Sequence, residues 1–245
     1  MNKFTEIIKS SNNIVFFGGA GVSTESGIPD FRSADGIYNE DVGKVLSAEE
    51  MVSHSFYKNH PRDFFNFYRD KLIYPDARPN DCHKALKKLE DIGKLKAIIT
   101  QNIDGLHQMA GSICVYELHG SVHRSYCVDC GEKYDLQEFL TLGEVPRCKK
   151  CGGIVRPDVV LYQESLDGEV LRDSVTAISQ ADTLIVGGTS LVVYPAAGLI
   201  NYFRGKNLVL INMTPTSYDT HADLCIYDKI GKVFKTTMDE LNLAI

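Results

Sequence analysis

Ile14-Val15-Phe16-Phe17-Gly18-Gly19-Ala20-Gly21-Val22 runs from bulky apolar residues straight into glycine. A β-branched and aromatic run without polar alternation fits a strand covered on both faces, as in a parallel sheet. Glycines placed directly after such a strand let backbone amides approach a pyrophosphate, the arrangement of a dinucleotide-binding turn. The Gly-x-Gly-x-x-Gly fingerprint is incomplete, because Thr24 stands at its last position and Gly27 arrives late. Taken alone, Gly19-Ala20-Gly21 also fits an ordinary tight turn.

Working outward, comparable strand-like runs occur at residues 96–100, 115–118, 183–186, 208–211 and 223–226. Helical spacing occupies residues 4–10, 83–92, 169–180 and 195–204. Strand and helix alternating in this way predict an α/β fold with a Rossmann-like, doubly wound parallel sheet. Two stretches break the rhythm. Residues 47–74 carry aromatics and charges at helical spacing, and residues 127–151 carry paired cysteines with little apolar periodicity. Both read as insertions that form a smaller lobe. The expected division is a Rossmann-type domain from residues 1–33, 80–122 and 155–245, with a helical module at 34–79 and a metal ribbon at 123–154.

Composition narrows the class. With 245 residues, 44% apolar and 24% charged, the chain reads as an ordinary soluble globular protein. Its longest near-apolar stretch, residues 14–22, is too short for a bilayer and is broken by glycine. Lys3, Glu6 and Lys9 leave no apolar core for a signal peptide, so a cytoplasmic location with no membrane partner is expected. A net charge of −6 argues against a broad nucleic-acid surface.

Seven cysteines without a signal peptide do not suggest a disulfide framework. Cys127 and Cys130 are two residues apart, as are Cys148 and Cys151, with 17 residues between the pairs. That spacing matches a four-thiolate zinc ribbon, because a two-residue gap lets a knuckle turn aim both sulfurs at one ion. Four protein ligands leave no open position, so one structural Zn2+ per chain is expected. Redox dithiols and a nucleic-acid-binding ribbon are the alternatives. Against the latter, residues 124–154 balance five basic side chains with five acidic ones.

Polar clusters follow the strand-like runs. Ser23, Ser26-Gly27-Ile28-Pro29-Asp30-Phe31-Arg32 extends the glycine turn, and Pro29 forces extended backbone where a Rossmann helix would run. Gln101-Asn102-Ile103-Asp104, His119-Gly120, Gly187-Gly188-Thr189-Ser190 and Asn212 each come just after a strand, where open α/β sheets bind ligands. His119 suits a base near neutral pH, and equally a hydrogen-bonded structural histidine.

In this order, the glycine turn, the residue 26–32 segment, Gln101-Asn102-Ile103-Asp104, His119-Gly120, the cysteine pairs, Gly188-Thr189-Ser190 and Ile211-Asn212 resemble the sirtuin family of NAD-dependent protein deacylases. The likeness runs over about residues 10–235. It implies a cleft between the two lobes in which NAD meets an acyl-lysine peptide. It also implies His119 as general base, with Asn102 and Asp104 ordering the nicotinamide end. Gly19, Ala20, Gly21 and Thr24 would line the phosphate turn. Asp30, Phe31 and Arg32 would belong to the cofactor loop, with Gln101 and Ile103 near the ribose. Gly188, Thr189, Ser190 and Asn212 would face the adenosine half, and Ile230 the adenine. The peptide would add as a strand beside Val160, Tyr162, Gln163 and Val193. The implied reaction gives free lysine, nicotinamide and O-acyl-ADP-ribose, carried out by a monomer.

Three positions depart from the family's usual pattern. Gly18 replaces a threonine, Ser33 a glycine, and Tyr162-Gln163-Glu164 stands where Phe-Gly-Glu is common. Desuccinylating relatives carry a tyrosine and, three residues on, an arginine; Phe65 and Tyr68 align there, which favours neutral acyl groups such as acetyl. A protein mono-ADP-ribosyltransferase of the same fold is the alternative function. A hydride-transferring dehydrogenase and a non-catalytic ribbon module are more distant ones.

Overall fold

The computed structural model describes residues 1–30 and 47–245. Phe31, Arg32 and Ser33 therefore lie outside the described residues. α1 (Lys3–Ser10) leads into β1 (Ile14–Gly18). The helices α2 (Ala48–Met51), α3 (His54–Asn59), α4 (Pro61–Leu72) and α5 (Asp81–Asp91) come next, then β2 (Leu95–Thr100), α6 (Leu106–Met109) and β3 (Val115–Glu117). β4 (Gly120–Cys127), β5 (Lys133–Asp135), α7 (Leu136–Leu140) and β6 (Val155–Val159) follow. The remainder is α8 (Gly168–Gln180), β7 (Thr183–Gly187), β8 (Asn207–Asn212), β9 (Leu224–Tyr227) and α9 (Ile230–Glu240).

Six strands form one parallel sheet in the order β3-β2-β1-β7-β8-β9. The chain winds outward from β1 in one direction and from β7 in the other, so β1 and β7 flank the point where strand order reverses. Alternation along β1 explains its wholly apolar sequence. Ile14 and Phe16 enter the core beneath α1, α5 and α9, while Val15 and Phe17 enter the opposite core beneath α8. Each of these side chains is fully buried, a contribution of about 1.5–3 kcal/mol apiece. The doubly wound sheet expected from sequence is present, with every strand-like run in place. One local expectation changes. Residues 195–204 form a 3-10 run at Ala196–Tyr202 instead of an α-helix, and Gly198 in its middle weakens α-helical preference.

A second, three-stranded antiparallel sheet has the order β5-β4-β6. β4 crosses the expected boundary at residue 123, and β6 pairs with β4 and not with the large sheet. Helical module and ribbon share one core. Phe56, Tyr57, Phe64, Phe65 and Tyr68 pack with Val122, Tyr134, Leu136, Phe139 and Val155, and Phe139 meets the rings of Tyr68 and Phe65 at 5.9 and 6.2 Å. Among the described residues, no helix is long and apolar enough to cross a membrane.

The four cysteines of the ribbon converge. Their sulfurs lie within 4.8 Å of one another, with Cys127 3.4 Å from Cys151 and Cys130 3.6 Å from Cys148. Tetrahedral zinc with bonds of about 2.3 Å has sulfur–sulfur edges of about 3.8 Å, so donor set and spacing fit zinc. Each knuckle is closed by main chain: Gly131 N–H donates to the Cys127 carbonyl at 3.0 Å and Gly152 N–H to the Cys148 carbonyl at 2.9 Å. Both glycines are left-handed, with φ of 72° and 78°, which favours glycine after each knuckle. Elemental analysis should find one zinc per chain. Cys148→Ser should strip it and lower the thermal midpoint by about 10 °C, the equivalent of ~3 kcal/mol. Unchanged metal content and midpoint would show that the ribbon does not depend on metal.

Candidate active site

Strand register sets the site. Gly18 at the end of β1 pairs with Thr100 of β2 and Gly187 of β7, while Gly187 pairs with Ile211 of β8. The segments beginning at Gly19, Gln101, Gly188 and Asn212 therefore leave the sheet side by side. Gly19 N–H donates to the Gly187 carbonyl at 3.1 Å, and Gly21 N–H to the Gly188 carbonyl at 2.8 Å. A Cβ on Gly19 would sit 2.8 Å from Thr189 Cβ, and one on Gly21 2.7 Å from Gly188 Cα. Side chains cannot fit between these turns. Instead of a Rossmann helix, the chain makes two 3-10 turns, Ala20–Val22 and Thr24–Ser26. Thr24 Oγ1 donates to the Gly21 carbonyl at 3.0 Å. The departure at Gly18 has a steric cause, since a Cβ there would lie 2.7 Å from the Phe16 ring.

A chain of polar contacts crosses the strand ends. Gln101 Nε2 donates to Thr189 Oγ1 at 3.1 Å, and Thr189 N–H donates to Asn212 Oδ1 at 2.9 Å. Asn212 Nδ2 is buried with no hydrogen-bond partner among the described residues. A buried donor in that condition is costly unless a ligand accepts from it. Ser190 beside it is exposed. Ile230, by contrast, is buried in the core beneath Gly187.

His119 Nδ1 lies 2.9 Å from the Gln101 carbonyl. A carbonyl can only accept, so Nδ1 carries the proton and Nε2 keeps its lone pair. Burial lowers the His119 pKa below its usual 6.5, partly offset by that hydrogen bond. Next to it, Ser23 Oγ donates to Asp104 Oδ2 at 2.6 Å and accepts from Asn102 Nδ2 at 3.1 Å. Burial raises the Asp104 pKa, against the pull of Ser23 Oγ and of the Leu106 N–H. Ile103 joins the lobes: its carbonyl accepts from Val122 N–H at 2.9 Å, and its side chain packs on the small-lobe core.

On the small-lobe side, Val160 N–H donates to the His119 carbonyl at 3.0 Å. Tyr162 is bonded at both ends of its peptide unit, its N–H to the Val52 carbonyl at 3.1 Å and its carbonyl from His54 N–H at 2.9 Å. Gln163 is exposed and left-handed, with φ of 76°. Val193 lies on the β7–β8 connection, its carbonyl accepting from Ala197 N–H at 2.8 Å. Asp30, half-buried, is the last described residue before the gap.

Two residues bearing on the site escaped the sequence reading. Asn80 Nδ2 donates to the Val22 carbonyl at 2.8 Å and to Ser26 Oγ at 2.9 Å, holding the glycine turn from below. Its signal was the helix start, asparagine at the N-cap with His83 three residues on completing a capping box. His123 Nε2 donates to the Asp104 carbonyl at 2.9 Å. Nothing local distinguishes His123 in sequence, because its role depends on β4 running beneath the 101–105 turn.

Known proteins match this arrangement. The Sir2 family model covers residues 19–195. An NAD-dependent protein deacetylase of Clostridium perfringens (strain 13 / Type A) is 67% identical over 240 residues, covering 98% of each chain. One from Clostridium acetobutylicum is 61% identical over 240 residues, covering 97% of this chain and 98% of the relative. A solved Sir2 complex with a p53 peptide and NAD+ has a TM-score of 0.88 at 38% identity, covering 100% of this chain and 99% of the other. Another, with a deacetylated p53 peptide and 3'-O-acetyl ADP-ribose, has 0.91 at 37%, covering 99% and 98%. On a likeness of this extent and identity, the chain belongs to the Sir2 family.

Proposed function

We propose that this chain is an NAD-dependent protein-lysine deacetylase that converts NAD and acetyl-lysine to nicotinamide, free lysine and O-acetyl-ADP-ribose. The observation that carries this reading is the commitment of His119 Nδ1 to the Gln101 carbonyl, which leaves Nε2 as the proton acceptor at the shared strand ends. NAD, when bound, supplies a ribose carbon whose bond to nicotinamide breaks and an ADP-ribose that carries the acyl group away.

The chain's own residues would act as follows. His119 Nε2 takes a proton from a ribose hydroxyl. Asn102 and Asp104, tied through Ser23, orient the nicotinamide end. The turn of Gly19, Ala20 and Gly21, with Thr24, borders the phosphates where no side chain intervenes. Gln101 and Ile103 border the ribose, while Gly188, Thr189, Ser190 and Asn212 receive the adenosine half. Asp30, Phe31 and Arg32 keep the cofactor-loop roles expected from sequence, and Ile230 backs the floor of the adenine side. Holding a weak amide-oxygen nucleophile against the ribose carbon is mainly proximity catalysis. Val160, Tyr162, Gln163 and Val193 border the extended peptide. The division into a sheet domain and a composite small lobe, monomeric action, a cytoplasmic setting and the absence of nucleic-acid partners complete the proposal.

Acyl preference follows from the small-lobe core. Phe65 and Tyr68 are fully buried, and the Tyr68 hydroxyl has no hydrogen-bond partner among the described residues. Nearby Arg69 is directed to the carbonyls of Gly143 and Glu144. Phe65 and Tyr68 offer an acidic acyl chain no cation of their own, and an unpaired buried carboxylate is strongly disfavoured.

Incubation with NAD and an acetyl-lysine peptide, with products identified by mass, tests the reading; ADP-ribose attached to protein in place of soluble O-acetyl-ADP-ribose would overturn it. His119→Ala should lower kcat by about 10²–10⁴-fold while NAD binding persists. Because the His119 pKa is lowered, its neutral form dominates at neutral pH. The native rate should therefore be flat there and fall only as pH drops through a value below 6.5. Loss of rate as pH rises through that range would sink the base assignment. Succinyl-lysine peptide should be turned over at least about tenfold more slowly than acetyl-lysine peptide, a difference of ~1.4 kcal/mol. Equal rates would refute the acyl argument.

A further inference from the structure

Among the described residues, only Gln163, Leu191 and Asn242 are non-glycine residues with left-handed backbone, at φ of 76°, 57° and 57°. Gln163 and Leu191 fall in the two segments that border the proposed peptide strand. A side chain in this conformation costs about 1–2 kcal/mol unless its surroundings hold it. At Gln163 the surroundings are specific. Its Oε1 accepts from the Ser55 N–H at 3.0 Å.

That N–H is one of the orphan donors in the first turn of α3. The others are also accounted for. His54 N–H donates to the Tyr162 carbonyl at 2.9 Å, and Phe56 N–H to the Ser53 hydroxyl at 3.2 Å. Residues 162 and 163 thus dock onto the start of α3 by one main-chain and one side-chain acceptor. Glu164 is fixed independently: it accepts from Arg156, from His54 Nδ1 at 2.7 Å and from Leu161 N–H at 2.9 Å. Between these anchors the main-chain N–H and carbonyl of Gln163 have no hydrogen-bond partner among the described residues. They are the free edge that an added strand would use.

We propose that the Gln163 side chain is a latch that holds its own peptide unit, through α3, in the conformation that receives the acyl-lysine peptide. It is a positioning residue for substrate. The proposal rests on the deacetylase reading for its occupant but not for its geometry. It also accounts for a glutamine at a left-handed position where the family commonly has glycine: glycine only permits that backbone among others, whereas the Ser55 contact here selects it.

Two measurements separate the possibilities. Hydrogen exchange at the Ser55 amide needs no substrate. Protection there should be lost in Gln163→Ala and Gln163→Gly and kept in Gln163→Glu, which retains an acceptor oxygen. In steady-state deacetylation, Gln163→Ala and Gln163→Gly should raise the peptide KM by about fivefold or more, the value of one hydrogen bond. Their kcat and NAD KM should hold, while Gln163→Glu stays within about twofold of the native peptide KM. Unchanged Ser55 protection in Gln163→Ala overturns the latch. So does a Gln163→Glu enzyme as impaired as Gln163→Ala, a Gln163→Gly enzyme with native peptide KM, or an effect confined to kcat. A native protein that does not deacetylate at all would count against the function and leave the exchange result to decide the latch.

Discussion

At the ends of β1 and β7 two turns meet main chain to main chain, and the cleft depends on that approach. Any side chain on Gly21 would collide with Gly188, and any on Gly19 with Thr189. Gly188 has φ of 60°, and a Cβ there would strike the main chain of Val22. The absence of side chains does two things at once. It brings the Gly19 turn and the Thr189 turn within reach of one bound molecule, and it lets the Gly19 and Gly21 amides bond directly to the carbonyls of Gly187 and Gly188. Strand register carries the effect sideways, because Thr100, Gly18, Gly187 and Ile211 stand side by side in register. Gln101, Thr189 and Asn212 then join hands across three strands.

His119 occupies the junction of the two sheets. β3 ends at Glu117 in the large sheet, and β4 begins at Gly120 in the small one. Gly120 has φ of 77°, and a Cβ there would collide with the Asp158 carbonyl on β6, so only glycine lets the chain change sheets so abruptly. The imidazole is tied to the large sheet through the Gln101 carbonyl. Its own carbonyl is tied to the small lobe through Val160 N–H. Any shift of one lobe against the other is felt at this residue, which suits the base role proposed for it.

What the sequence disclosed follows the range of its interactions. The parallel sheet was legible because strands buried on both faces must be continuously apolar, as in Ile14-Val15-Phe16-Phe17 and Thr183-Leu184-Ile185-Val186. The zinc ribbon was legible because chelation fixes the cysteine spacing. β4 and β6 were not, since Gly120–Cys127 reads GSVHRSYC and Val155–Val159 reads VRPDV, with polar residues and a proline that mask strand periodicity. These strands are held by ladder bonds to each other and by Val122, Val155 and Val159 in the small-lobe core. Asn80 and His123 were missed for a related reason: each acts on a turn from an element distant in sequence. The Gln163 departure was visible in sequence, but its contact with Ser55 required the fold.

Energetics help decide what the Arg156–Glu164 pair is for. The two side chains are 10% and 19% exposed, with Arg156 Nη1 2.7 Å from Glu164 Oε1. A pair this buried adds little net stability, since desolvation offsets its attraction. Its value is positional. Burial alone would raise the Glu164 pKa, but Arg156, His54 and the Leu161 N–H outweigh it and bring it down to about 2. The folded pKa is depressed, so the stability Glu164 contributes is present above its unfolded value of 4.5 and is lost only as pH falls toward about 2. The loop it anchors stays fixed across the range in which His119 titrates. The buried His83 is different. Burial lowers its pKa from 6.5 to about 4, and its Nδ1 accepts from the Asn80 N–H at 3.2 Å. An unfolded chain takes up this proton first, so stability from His83 begins to drain as pH falls below 6.5. Asn80 is the residue that holds Val22 and Ser26. Acid therefore acts on the turn of Val22 and Ser26 through His83 well before it reaches the segment of Leu161 and Glu164 through Glu164. His119, whose pKa is lowered in the same direction by burial, adds to this acid drain on stability, so the thermal midpoint reports both histidines.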